Sequence, residues 1–306
     1  MALVTYYCNL SAVGDCVCAI PTVKALISEK KLYKVLVPKK FVDLFAVCGV
    51  DKEFIVEVTR EEAVAFDACG SEKVCANIPG HAAYRIHLVD LFSVFPINAI
   101  LKPHEKCVAA VPELLPLKEL DGFYPFSDPY VVIGIGYAHK SRRLPVKAYK
   151  EIVEFCKKKG YNVVLLGASR LPTSKQPINF DEHPKDGCID LIDKTTIPES
   201  IEIMGRAKCV IGVDSGLIYL ASVTDVPIVC GFSFVDPYYR MPYRHNEKGW
   251  KFFPVEPRGE CKYCSNDLAM FGEEFDSACP KGNGFECSAT LNGKDFITEI
   301  KKSLKK

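Results

Sequence analysis

Ile211-Gly212-Val213-Asp214-Ser215-Gly216-Leu217-Ile218-Tyr219-Leu220-Ala221 sits at the centre of the pattern that decides the fold. The apolar run Cys209 to Val213 passes through Asp-Ser-Gly straight into apolar residues at helical spacing, Leu217 to Thr224, and a second apolar run follows at Pro227 to Gly231. Strand, helix and strand in that order predict neighbouring parallel strands joined by a crossover helix. Upstream the alternation continues, with strands at Tyr130 to Ile135 and Asn162 to Leu166 and helices at Val146 to Lys159 and Pro198 to Ala207. Val163-Val164-Leu165-Leu166 shows no polar alternation, as expected of a strand covered on both faces.

A second alternation occupies the N-terminal part. Strands are predicted at Leu3 to Cys8, Tyr33 to Val37 and Glu53 to Val58, with helices at Cys16 to Ser28 and Lys39 to Cys48. From Asp67 to Ala110 the pattern is less regular, with a helix expected at Leu88 to Phe95. Between Val111 and Pro129, four prolines and Gly122 suit a linker. The chain has 306 residues, about twice the usual length of one domain. The expected fold class is therefore α/β. Residues 1–120 and 121–306 form two Rossmann-like domains whose parallel sheets face a cleft.

Hydrophobic residues at 48% and charged residues at 25% exclude a disordered or collagen-like chain. A net charge of +1 gives no whole-molecule field for a polyanion. No apolar run reaches the length of a membrane span, and Met1-Ala2-Leu3-Val4-Thr5 lacks the basic start of a secretory signal, so a cytoplasmic location is expected. Many of the fifteen cysteines lie in apolar runs, which fits buried thiols in a reducing compartment.

Ligands of open α/β sheets bind at the carboxyl ends of the strands, so three loops carry the candidate site. In Ser11-Ala12-Val13-Gly14-Asp15, Gly14 permits close backbone approach, and Asp15 is either a helix N-cap or a general base. Gly134-Ile135-Gly136-Tyr137-Ala138-His139-Lys140-Ser141-Arg142-Arg143 joins glycines to Lys140, Arg142 and Arg143, which suits a phosphate-bearing ligand or a plain solvated loop. In the third loop, Asp214, Ser215 and Gly216 open a helix whose unpaired N–H groups can hold an anion, or merely cap it.

Gly14-Asp15-Cys16-Val17-Cys18-Ala19-Ile20-Pro21-Thr22-Val23-Lys24-Ala25-Leu26 resembles the N-terminal motif of the lipopolysaccharide heptosyltransferases, glycosyltransferase family 9. Ile192-Asp193-Lys194-Thr195-Thr196 and the stretch Ala207 to Ala221 resemble that family's donor-binding half. The resemblance implies the GT-B fold and inverting, metal-independent transfer from a nucleotide-sugar donor to a hydroxyl acceptor. It makes Asp15 the catalytic base and sets Arg142 where the family has the lysine of a Lys-x-Trp-Pro motif that contacts the donor diphosphate. Asp214, Ser215 and Gly216 match the diphosphate loop, and Thr195 lies near the nucleoside contact. Two residues depart from the family: Tyr219 replaces a histidine, and Leu171 stands where a glutamate often holds the donor ribose. These departures keep a non-catalytic nucleotide-sugar binder as the rival reading.

Cys261-x-x-Cys264, Cys279 and Cys287 suit a structural zinc site, although family 9 members often carry a similar late cysteine run, which leaves a metal-free reading open. No cofactor is required for catalysis in either case. Tyr238 to Phe253 interleaves aromatic and basic residues, among them Arg240, Arg244 and Trp250, as single-strand nucleic-acid binders do. A saccharide acceptor is expected, with hydroxylated bases of viral DNA as the alternative; Arg240 and Arg244 would then supply the salt-dependent contacts. A terminal helix from Lys294 closes the chain.

Overall fold

The computed structural model describes residues 3–8, 12–76, 129–135, 140–169, 183, 185–245, 247–267, 270 and 278–305. The helix expected at Leu88 to Phe95 and the linker from Val111 up to Asp128 lie outside the described residues, as do Gly136, Tyr137, His139 and Leu171.

The first sheet contains β1 (Val4–Tyr7), β2 (Leu32–Val37), β3 (Ile55–Glu57) and β4 (Glu72–Cys75), ordered β3-β2-β1-β4 with every pairing parallel. Its helices are α1 (Val13–Ser28), α2 (Val42–Val47) and α3 (Arg60–Ala65). The second sheet contains β5 (Tyr130–Gly134), β6 (Asn162–Leu166), β7 (Ile189–Asp190), β8 (Val210–Val213), β9 (Ile228–Gly231) and β12 (Phe252–Val255). It is also fully parallel, in the order β12-β9-β8-β5-β6-β7. Between its strands run α4 (Val146–Lys158), α5 (Ile197–Arg206) and α6 (Gly216–Ala221). A two-stranded antiparallel ribbon, β10 (Tyr243–Arg244) and β11 (Glu247–Lys248), precedes β12. The C-terminal part adds α7 (Glu286–Ala289) and α8 (Gly293–Ser303).

Alternate residues of each strand feed opposite faces, as the two-residue period of a strand requires. Val131, Ile133, Val163, Leu165 and Ile211 pack with α4 and α8 on the outer side of the second sheet. Tyr130, Val132, Val164, Val210 and Ile228 face inward, and there their core is continuous with that of β1, β2, α1 and α2. The two sheets thus meet through a shared layer of helices, α1 and α2 from one half against α5 and α6 from the other. Two glycines set that contact. A methyl group on Gly216 would lie 2.5 Å from Val13 Cγ1, and one on Gly14 would lie 2.8 Å from the Tyr219 ring and 3.3 Å from Gly216 Cα. Only hydrogen side chains let the first turns of α1 and α6 approach this closely.

Two expectations are corrected here. Asp15 is not an N-cap: α1 begins at Val13 with Ala12 in the capping position, which places Asp15 inside the first turn. The segment Tyr238 to Phe253, expected as an interleaved track of aromatic and basic residues, instead contains the ribbon and runs into β12, an edge strand where Pro254 is tolerated. Among the described residues no helix is long and apolar enough to cross a membrane.

Candidate active site

Asp15 and Asp214 come from opposite halves and reach one site because the first turns of α1 and α6 are in contact. Asp214 follows β8 and is 5% exposed; its backbone N–H donates to Gly231 O at 3.1 Å. One carboxylate oxygen, Oδ1, accepts from the Tyr219 hydroxyl at 3.4 Å, and the other, Oδ2, lies 3.7 Å from Arg142. Asp15 sits in the field of Arg142 and Asp214. Burial pushes its carboxyl up to about 6, against the pull of Arg240 and Arg142, and the negative charge of Asp214 adds to the rise. A carboxylate in that range is ionised at neutral pH yet basic enough to accept a proton, which is what general-base chemistry requires. Beside it, the Cys8 thiol donates to Cys16 Sγ at 3.8 Å, tying the end of β1 to the start of α1.

Ser215 occupies the N-cap of α6 but makes no capping bond with its side chain. Its hydroxyl is thus not committed to the helix. Tyr219 turns its ring into the α1–α6 contact and offers its hydroxyl to Asp214. Arg142 ends a short 3-10 turn, Lys140–Arg142, and its guanidinium carbon lies 5.4 Å from the centre of the Phe234 ring. Arg143 follows it, near His183, whose imidazole meets Leu144 O at 3.1 Å and is pushed down by burial and by Arg143. Thr195 follows β7 at the far edge of the same sheet, and its hydroxyl is 2.8 Å from that of Ser200.

Arg240 is a site residue that sequence reasoning placed elsewhere. It is 5% exposed, and its charge acts on Asp15, Tyr219 and Cys18. Arg244 is fully buried, and its two terminal nitrogens donate to the carbonyls of Thr224, Val226, Trp250 and Lys251 at 2.5–3.2 Å. Trp250 is flanked by Arg244, Lys251 and the His245 ring, at centroid distances of 5.3, 4.4 and 4.4 Å. The two arginines expected to contact DNA are therefore folded inward. Charged residues near aromatic ones read as exposed by default, and only the tertiary structure shows the guanidiniums capping carbonyls.

Cys261, Cys264, Cys279 and Cys287 line one pocket with Ser141, Phe234 and Phe285. Backbone N–H groups of Lys281, Gly282, Asn283 and Phe285 surround the Cys279 sulfur and hold that thiol below its ordinary value despite burial, a cradle suited to a thiolate. Among the described residues, however, no three His, Cys, Asp or Glu side chains stand at ion-ligating geometry. The four sulfurs share a pocket without being closed on a common centre. All described cysteines are free thiols.

The family model of glycosyltransferase family 9 (heptosyltransferase) matches residues 100–261, more than half of the chain. The chain belongs to that family. Among curated family 9 relatives, the lipooligosaccharide heptosyltransferase 2 of Haemophilus influenzae is 25% identical over 104 residues, a match that covers 33% of this chain and 30% of the relative. Among solved structures, the iron-containing dodecameric glycosyltransferase TibC of enterotoxigenic E. coli H10407 superposes with a TM-score of 0.75 at 16% identity, covering 99% of this chain and 76% of TibC. The E. coli ADP-heptose lipopolysaccharide heptosyltransferase II gives 0.66 at 13%, covering 99% of this chain and 98% of that one. At these identities the structural likeness establishes the GT-B fold.

Proposed function

We propose that this family 9 chain is an inverting glycosyltransferase that moves a sugar from a nucleoside-diphosphate donor to a saccharide hydroxyl. The observation that carries the reading is the meeting of Asp15 with the Arg142–Asp214 pair at the α1–α6 contact. The acceptor oxygen attacks the anomeric carbon from the side of Asp15, which takes the hydroxyl proton. The bond from that carbon to the diphosphate oxygen breaks, and its electron pair leaves with the nucleoside diphosphate. Arg142, with the Ser215 hydroxyl and the N–H groups opening α6, meets the charge that develops on the leaving group. This assigns the leaving-group role to protein donors, so the transfer is proposed to proceed without a catalytic metal.

ADP-heptose is the first donor to test, because TibC has been solved with ADP-D-β-D-heptose and the E. coli relative is an ADP-heptose enzyme. Mass spectrometry of products formed from ADP-, GDP- and UDP-sugars with a panel of lipopolysaccharide cores and simpler glycans checks the reading. Tight donor binding with no product from any pair would leave the non-catalytic binder standing. Arg142→Ala is expected to weaken ADP binding by ~1.5–3 kcal/mol, the worth of a hydrogen bond to a charged group, in isothermal calorimetry. Unchanged affinity would remove Arg142 from the donor site.

The four cysteines are proposed to hold a structural zinc or iron ion. Four thiolates would fill its coordination shell, so it would brace the fold and take no part in transfer. The pocket and the N–H cradle of Cys279 suit such an ion, and loading requires the four sulfurs to close inward. TibC is described as iron-containing. Elemental analysis should find stoichiometric zinc or iron that is lost in Cys279→Ser, and metal-free wild-type protein would refute the site.

A further inference from the structure

We propose that the cysteine-rich C-terminal segment is the positioning element for Arg142, with Ser288 and Ser233 as its positioning residues. The inference rests on the reading that Arg142 contacts the donor diphosphate. A single 3-10 turn has too few internal hydrogen bonds to hold its own place, so its position is set by whatever holds its backbone. In Lys140–Arg142 two carbonyls are held from outside. Ser288 of α7 sends its hydroxyl to Lys140 O at 2.9 Å, sharing it with Phe285 O at 3.0 Å, and Ser233, after β9, donates its hydroxyl to Ser141 O. Both serines are buried, as is Ser141.

The side chain of Arg142 is supported from the same direction. It lies over the Phe234 ring, and Phe234 packs with Cys264 and Met270. Residues 233 and 234 are fixed in turn, because Ser233 O accepts from Tyr263 N at 3.0 Å and Phe234 O accepts from Ser265 N at 3.1 Å. Apart from Met270, these supports lead within one residue of Cys264 or Cys287, and Ser141 and Phe234 line the pocket that the four cysteines line. The segment therefore forms the back wall of the donor arginine. It acts on the reaction through Arg142 and touches no reacting atom itself.

A double-mutant cycle on the full chain tests this, with ADP as the probe in calorimetry. Ser288→Ala alone should weaken ADP binding about three- to tenfold, the range of one lost hydrogen bond. In the Arg142→Ala background the same change should alter ADP affinity less than twofold, because its effect passes through that arginine. Ser233→Ala should behave alike. A merely structural serine would cost the same in both backgrounds, and an additive result overturns the proposal. A second readout needs no ligand: trypsin cleavage after Lys140, Arg142 or Arg143, well below the melting temperature, should be severalfold faster in Ser288→Ala. Unchanged cleavage together with unchanged ADP affinity also overturns it. If Arg142→Ala leaves ADP affinity intact, the donor reading fails instead, and the cleavage rates still decide whether the segment holds the turn.

Discussion

Asp15→Asn is expected to abolish sugar transfer and, at neutral pH, to make the protein more stable. The folded chain holds the Asp15 proton up to about pH 6, whereas an unfolded chain releases it near 4. The folded state thus binds the proton more tightly, so stability is highest below about pH 4, is lost as pH rises between 4 and 6, and stays lower above that. At 1.36 kcal/mol per unit, the ionised carboxylate costs on the order of 3 kcal/mol at pH 7, and the neutral amide avoids most of it. Turnover should fall by roughly 10²–10⁴-fold, the usual contribution of a general base. In wild type, kcat/KM should drop about tenfold per unit below pH 6, as the base protonates. Calorimetric melting at pH 4 and pH 7.5 checks the stability half: a higher melting temperature for Asp15→Asn at 7.5 but not at 4. Equal gains at both pH values, or retained turnover, would take the base role from Asp15.

Arg244→Met is expected to destabilise the fold by on the order of 3–5 kcal/mol, with Arg244→Lys recovering little of the loss. Burial pushes this guanidinium down to about 10, so it remains charged at neutral pH while donating to four carbonyls. Those carbonyls belong to the turn after α6 and to the approach to β12, and methionine would strip the guanidinium from all four, leaving only Lys251 O with another partner among the described residues, the Ile228 N–H at 2.9 Å. A lysine can hold a charge there but cannot reproduce the planar fork that reaches two pairs of acceptors. Urea midpoints of the three proteins measure the effect. A loss under about 1 kcal/mol would show that the carbonyls find other partners.

The parallel alternation was legible because buried strands are short and continuously apolar: Asn162–Leu166 was bounded correctly by its own composition. Helix starts were less so. α1 begins earlier than Cys16, since its cap is Ala12, a residue with no capping signal. The helix at Arg60–Ala65 carries a legible start signal, Thr59 and Glu62 forming a capping box. β12 was missed because Phe252–Val255 lies in a segment dominated by aromatic and basic residues, and its pairing with β9 is a long-range event. The site shows the same division. Asp15, Arg142 and Asp214 stand just beyond strand ends, in the first turn of α1, in the 3-10 turn after β5 and ahead of α6, where topology puts ligands. Arg240 comes from a loop beyond β9, and no local pattern distinguishes a charge turned toward a buried carboxylate from one turned toward water.

The paired glycines at the α1–α6 contact also constrain how the two halves can move. Any rocking of one sheet against the other that keeps Gly14 and Gly216 touching has its pivot there, and displacement grows with distance from a pivot. Asp15 and Ser215, each next in sequence to one of the glycines, lie on short lever arms. Thr195, at the far edge of the second sheet, lies on a long one. A rotation about that point would therefore displace Thr195 more than it displaces Asp15 and Ser215. Under the proposed function, a motion that opens the Thr195 edge would leave the spacing of Asp15 and Ser215 nearly unchanged.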